Sequence, residues 1–135
     1  MPKLIPVADE QSKPFWDAAN ERRLLVHKCT ACNTLQFPPQ PTCRDCGSAK
    51  LEWTQASGRG HILTYFVVHD GRFGRRMADQ PYNVAVIALD EDPRVNFYAN
   101  LPGVPPHQVP VGAAVKVIFE EVEGGQLVPD WQVVR

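Results

Sequence analysis

Four cysteines, all that the chain contains, fall within eighteen residues as Cys29-x2-Cys32 and Cys43-x2-Cys46, with ten residues between the two pairs. A C-x2-C turn directs two sulfurs at one point, and two such knuckles supply the four thiolates of a tetrahedral zinc site. Gly47 follows the second knuckle, where the turn needs a left-handed residue, and Asn33 takes the equivalent place after the first. A rubredoxin-like iron centre or two disulfides would use the same cysteines; disulfides need an oxidising compartment, to which nothing in the chain directs it. Four thiolates fill the coordination shell and leave no position for water or substrate, so the expected ion is one structural Zn2+ that folds its segment and does not react. Lys28, Arg44 and Lys50 lie close enough in sequence to offset the negative cluster, and His27 is an alternative ligand beside a set that is already complete.

The chain divides around this segment into an N-terminal arm and helix over 1–26, a zinc ribbon over 27–53 and a β unit over 54–135. Residues 12–23 read as a short helix. Ser12 stands at its start, Pro14 in its first turn, and Phe15, Trp16 and Ala19 form an apolar stripe. A helix this short is not stable alone, so the stripe must cover the chain's own core, a partner protein or the side of a ligand groove. Phe15 and Trp16 are the anchors in each case. Beyond Leu51, five β-branched and aromatic runs at 62–69, 82–89, 94–101, 113–122 and 127–134 are separated by turn signals and indicate an antiparallel unit. A small five-stranded barrel closes it with few exposed edges; half a sandwich is the alternative. The prolines of 101–112 make that stretch coil, and the Gly58-Arg59-Gly60 triplet is read as a flexible joint between the lobes.

Residues 69–81 carry Arg72, Arg75 and Arg76 around Phe73 and two glycines. Such a loop suits a phosphorylated ligand beside a stacked base, an acidic partner surface, or plain solvation. A zinc ribbon beside a small barrel also occurs in nucleic-acid binders, with Tyr65, Phe66, Phe97 and Tyr98 as the rings on which bases would stack. A net charge of −1 and the acidic run of Glu120, Glu121 and Glu123 argue against a broad polyanion footprint. No nucleophile motif or glycine-rich phosphate signature is present. His61, His69 and Asp70 are the residues that an independent hydrolase or hydratase would have to use, and Asp130 beside Trp131 reads as a structural carboxylate. The N-terminal stretch lacks the apolar run of a secretory signal and no span of about 20 apolar residues occurs, so a cytoplasmic protein without membrane contact is expected.

The order of these features is itself distinctive: PFW, LLVHKC, C-x2-C, FPP, C-x2-C-G-S, EW, SGRG, PY and an LDE turn, with Gly112 and Phe119-Glu120 in the penultimate strand. From Phe15 to Trp131 the chain resembles the DUF35 family; its RRMADQ run departs from any pattern of that family. The resemblance implies a mainly β fold with an N-terminal helix, a rubredoxin-like zinc ribbon and a C-terminal five-stranded OB-fold barrel, with Cys29, Cys32, Cys43 and Cys46 as zinc ligands. It also implies a non-catalytic accessory subunit of a thiolase-like enzyme, associated with acyl-CoA, some relatives being fused or paired with hydratase-like domains. On that reading Phe15 and Trp16 face the partner or the acyl-pantetheine arm, Arg72, Arg75 and Arg76 contact phosphates, and Phe73 is the aromatic of the same ligand-binding loop. A nucleic-acid-binding protein remains the alternative, and a homo-oligomer is compatible with either.

Overall fold

The structure is a computed structural model that describes residues 5–69 and 81–134. Helix α1 (Lys13–Asn20) begins behind a reciprocal pair, in which the Asp9 N–H donates to Ser12 Oγ at 3.1 Å and the Ser12 N–H donates to Asp9 Oδ1 at 2.7 Å. It ends earlier than the sequence suggests, because Arg22 turns left-handed at φ 59° and the N–H groups of Glu21 and Arg22 donate to the carbonyls of Ala18 and Ala19. Phe15, Ala18 and Ala19 are buried at i, i+3, i+4 spacing and Trp16 sits beside them, half-buried. Three side-chain bonds fasten the helix to the final hairpin. The Leu127 N–H donates to Asn20 Oδ1 at 2.9 Å, Asn20 Nδ2 to Gln126 Oε1 at 3.2 Å, and Gln126 Nε2 to the Trp16 carbonyl at 3.2 Å.

The ribbon is a three-stranded antiparallel sheet with β1 (Leu25–Cys29) between β2 (Leu35–Gln36) and β3 (Leu51–Gln55). Among the described residues five further strands follow: β4 (Arg59–Val68), β5 (Tyr82–Leu89), β6 (Asn96–Ala99), β7 (Ala114–Glu121) and β8 (Leu127–Val133). They form one antiparallel sheet in the order β6-β5-β4-β7-β8, curled into a near-barrel. β4 is long enough to pair with β5 over most of its length and with β7 at its start, and an irregularity between Ile62 and Thr64 lets it bend. Strand 82–89 runs as the sequence indicates, whereas the structure overturns the flexible joint at 58–60. Arg59 opens β4, a Cβ on Gly60 would collide with the Ala88 carbonyl, and Gly58, at φ 76°, lies against Val117 while its carbonyl accepts the Val117 N–H at 2.7 Å. These glycines allow close approach of strands and do not loosen a linker.

Among the described residues the curl does not close with a main-chain ladder: β6 and β8 are the two edges of the sheet. Pro129 on β8 has no N–H to offer across that seam. Side chains bridge it instead, with the Phe97 and Trp131 rings 5.8 Å apart. From Phe97 the aromatic chain continues through Phe37 of the ribbon loop at 4.6 Å and Phe15 of the helix at 5.0 Å to Trp16 at 4.9 Å. Helix, ribbon and barrel therefore share one apolar core, with Trp131, Ile62, Ile87, Leu89 and Val115 at its centre. The proline-rich stretch after β6 is coil as expected, and buried Asn83 satisfies its backbone by accepting the Leu101 N–H at 3.1 Å and donating to the Val104 carbonyl at 3.1 Å.

Candidate metal centre and adjoining groove

The two knuckles repeat the same local backbone. After the first, the Asn33 N–H donates to the Cys29 carbonyl at 2.8 Å and the Cys29 N–H to the Thr34 carbonyl at 2.9 Å; after the second, Gly47 donates to Cys43 at 2.9 Å and Cys43 to Ser48 at 2.8 Å. Both turns require a left-handed residue at the same place, and Asn33 and Gly47 adopt φ 64° and 75°. The repeat brings four sulfurs to one point. The Cys29–Cys46 and Cys32–Cys43 Sγ pairs are each 3.6 Å apart, and all four Sγ atoms lie within 4.8 Å of one another. Those separations are too long for disulfides, and the four cysteines are free. A tetrahedron with Zn–S bonds of about 2.3 Å needs sulfurs about 3.8 Å apart, so the cluster fits a single structural zinc.

The electrostatics favour the same occupant. A backbone hydrogen bond from Cys46, aided by one from Asp45, brings the Cys43 thiol down to about 6 despite partial desolvation. The Thr34 hydroxyl and backbone lower the Cys32 thiol. A backbone hydrogen bond from Ser48 also lowers Cys46, but the crowding thiols of Cys32 and Cys29 outweigh it and push Cys46 up to about 12. Four thiolates cannot share this space without a cation, which a divalent metal supplies. His27 does not join them. Its ring packs edge-on against Trp53 at 4.2 Å, burial lowers its pKa, and its Nδ1 has no hydrogen-bond partner among the described residues.

An ionic clasp joins the second knuckle to the barrel. The Arg94 guanidinium reaches both carboxylate oxygens of Asp45 at 3.2 Å and also Asp92, while Arg44 donates to the Leu35 carbonyl at 2.8 Å and to Asp92 at 3.4 Å. Asp45 also accepts from the Thr34 hydroxyl at 3.0 Å, the first cause of its lowered pKa. The sequence reading assigned Arg44 to charge compensation of the sulfur cluster. Its guanidinium ties ribbon to barrel, which spacing along the chain does not reveal.

Beside the clasp, at the unclosed seam, lies a groove of about 630 Å³ walled by Trp16, Phe37, Pro38, Phe97, Tyr98 and Pro129, with Arg94 and Asn96 at its rim. Helix, ribbon and barrel each contribute a wall. Phe15 also borders it, but is buried and chiefly serves the core, whereas Trp16 is half-buried on the groove side. Of the four rings proposed for base stacking, Phe66 and Tyr98 are exposed; Phe97 and Tyr65 turn inward to the core, since neighbours on a strand face opposite sides. His61 pairs with Asp90 through Nδ1 at 3.0 Å, and His69 stacks on His107 at 5.5 Å, so the two histidines occupy separate places. Asp130 is buried, with Oδ1 accepting the Trp131 N–H at 3.0 Å. Asp70, Arg72, Phe73, Arg75 and Arg76 lie outside the described residues. The seam groove and the Arg94–Asp45 clasp escaped the sequence reading; the only local signals were Pro129 in a strand and the acidic-basic turn Asp92-Pro93-Arg94.

With that geometry in place, comparison with known proteins separates cleanly into the two lobes. Residues 16–52 match the family described as "ChsH2, rubredoxin-like zinc ribbon domain", and residues 53–120 match "ChsH2, C-terminal OB-fold domain". A DUF35 domain-containing scaffold protein of Pyrococcus furiosus is 32% identical over 113 residues, covering 83% of this chain and 80% of that protein. The chain belongs to the DUF35 family. This DUF35 chain is also 34% identical over 117 residues to a probable enoyl-CoA hydratase alpha subunit of Thermomonospora curvata, covering 86% of the chain but 35% of that subunit. A 3-oxo-4,17-pregnadiene-20-carboxyl-CoA hydratase alpha subunit of Mycobacterium tuberculosis is 25% identical, with 96% of the chain and 38% of the subunit covered. The DUF35 chain thus spans little more than a third of the length of either hydratase subunit. Among solved structures, a chain of the "Ltp2-ChsH2(DUF35) aldolase" superposes with a TM-score of 0.79 at 30% identity, covering 96% of this chain and 98% of that one. A DUF35 protein of Sulfolobus solfataricus superposes with a TM-score of 0.65 at 19% identity, covering 94% and 87%, and shares the fold. No helix among the described residues is long and apolar enough to cross a membrane.

Proposed function

We propose that this DUF35 chain is a cytoplasmic, non-catalytic subunit that docks to a thiolase-like enzyme and helps to hold an acyl-CoA thioester. The observation that carries this reading is the end-to-end likeness to the DUF35 chain of the Ltp2-ChsH2(DUF35) aldolase, which covers 98% of that chain. The hydratase subunits named for CoA thioesters, of which this chain matches one portion, support the same substrate class. Coordination chemistry supports the division of labour: a centre of four sulfurs has no open position at which to activate water or a carbonyl, so the reacting groups belong to the partner. Four cysteines gathered as metal ligands, with no disulfide between them, suit a reducing compartment.

The test is co-purification of the zinc-loaded chain with the thiolase-like enzyme of the same host, followed by turnover assays on each component and on the mixture. A stable complex whose activity exceeds that of the enzyme alone, with none in the isolated chain, is the expected result. Turnover of acyl-CoA by the isolated chain, or failure to associate, defeats the proposal. Competition by single-stranded oligonucleotides but not by CoA thioesters would favour nucleic-acid binding instead.

A further inference from the structure

We propose that the seam groove is the seat of the thioester's acyl group and not of its CoA nucleotide, and that it is complete only when the zinc site is loaded. This rests on the thioester-handling role proposed above and assigns it to particular residues. The groove's volume lies in the range of small-molecule sites, about 300–1,000 Å³, and its walls are aromatic rings and prolines. Arg94 is the only side chain charged at neutral pH among its described lining residues. That guanidinium already faces the carboxylates of Asp45 and Asp92, which leaves no net positive charge for a pyrophosphate or a ribose phosphate. An uncharged hydrocarbon body matches this lining; a nucleotide does not.

The groove also depends on the ribbon's second knuckle through two separate connections. Phe37 and Pro38 follow Gln36, which is buried and whose amide donates to the Thr42 carbonyl at 3.1 Å and accepts the Arg44 N–H at 2.9 Å, the two residues that flank Cys43. Arg94 is held by Asp45, which lies between Cys43 and Cys46. Metal binding orders the knuckle, and the knuckle fixes one wall through Gln36 and the rim through Asp45. Linkage is reciprocal, so an acyl group in the groove must also tighten the hold on zinc.

The experiment titrates the zinc-loaded full chain with octanoyl-CoA, acetyl-CoA and CoA by calorimetry, following tryptophan emission and the rate of zinc transfer to a chromogenic chelator. Octanoyl-CoA should bind at least about tenfold more tightly than CoA, as burial of several methylenes requires. It should also shift the Trp16 emission and slow zinc release several-fold. Trp16→Ala and Tyr98→Ala should each weaken octanoyl-CoA by about tenfold and leave CoA unchanged. Tyr98 is 74% exposed, so its loss does not threaten folding and the test survives if the Trp16 variant is unstable. Equal affinities for octanoyl-CoA and CoA, an unaffected Tyr98→Ala variant, or zinc release indifferent to octanoyl-CoA would each overturn the assignment while leaving the accessory role standing. Absence of any CoA ligand binding removes the thioester-handling role and this inference with it. A groove that responds to the partner enzyme and not to octanoyl-CoA belongs to a partner side chain, and the acyl assignment fails.

Discussion

The ribbon and the barrel are stabilised by different means. The barrel buries Trp131, Ile62, Ile87, Leu89 and Val115 in a shared core and needs no metal to justify its shape. The loops that carry the knuckles, residues 29–34 and 43–48, have Cys29 and Cys43 as their only buried residues, so little apolar burial opposes chain entropy there. Coordinate bonds to zinc take over where burial is missing. The two lobes should therefore fail under different perturbations, although the ring series from Trp131 to Trp16 joins them.

Four experiments break or sharpen that contrast. Chelation, or Cys43→Ser, should have the largest effect: loss of stoichiometric metal and of amide protection across 27–48, with protection retained in β5 and β7. Hydrogen exchange with metal analysis checks this, and a Cys43→Ser protein that kept its zinc and its protection would falsify the structural role of the ion. Trp131→Ala attacks the other lobe; its cost should be about 3–5 kcal/mol in denaturant unfolding, with metal stoichiometry unchanged in the fraction that folds. Gly60→Ala forces a methyl group against the Ala88 carbonyl and should cost about 1–3 kcal/mol, measured the same way. A neutral outcome there would restore the flexible-joint reading of 58–60.

Asp92→Asn, at the clasp, should have the smallest effect and should show itself in pH dependence. Burial alone would raise the Asp92 pKa, but hydrogen bonds from the Arg94 backbone and guanidinium outweigh it and leave the pKa below the ordinary 3.8. A carboxyl with a depressed folded-state pKa adds stability above its unfolded value, and that contribution is lost as pH falls through the folded one. At neutral pH the variant should melt slightly below the parent, and the gap should close in strong acid and shrink in high salt because Arg94 is open to solvent. An equal gap at all pH values would show that Asp92 acts through packing alone.

The parts legible from the chain were those set by local covalent and backbone limits. Cys-x2-Cys dictates a knuckle, and the left-handed turn after it admits Asn33 or Gly47 at little strain. Residues 82–89 form a strand because a largely apolar run containing the β-branched Val84, Val86 and Ile87 is bounded by turn residues. The helix end was harder to read, since Glu21, Arg22 and Arg23 are ordinary helix residues and only Arg22's left-handed turn stops them. Gly58 and Gly60 were misread for a related reason. A glycine that loosens a linker and one that admits a crossing strand look alike until the opposing Val117 and Ala88 are known.

By itself, the sequence determined the four-sulfur centre, the strand-rich lobe after it and the coil between β6 and β7, because each follows from residue types within a few positions of one another. Tertiary structure alone decided that Arg44 and Arg94 join the lobes, that Phe37 links barrel to helix, and that the sheet stays open between β6 and β8 beside a neutral groove. Those features depend on residues far apart in the sequence meeting in space, and their partners are chosen by packing of the whole chain.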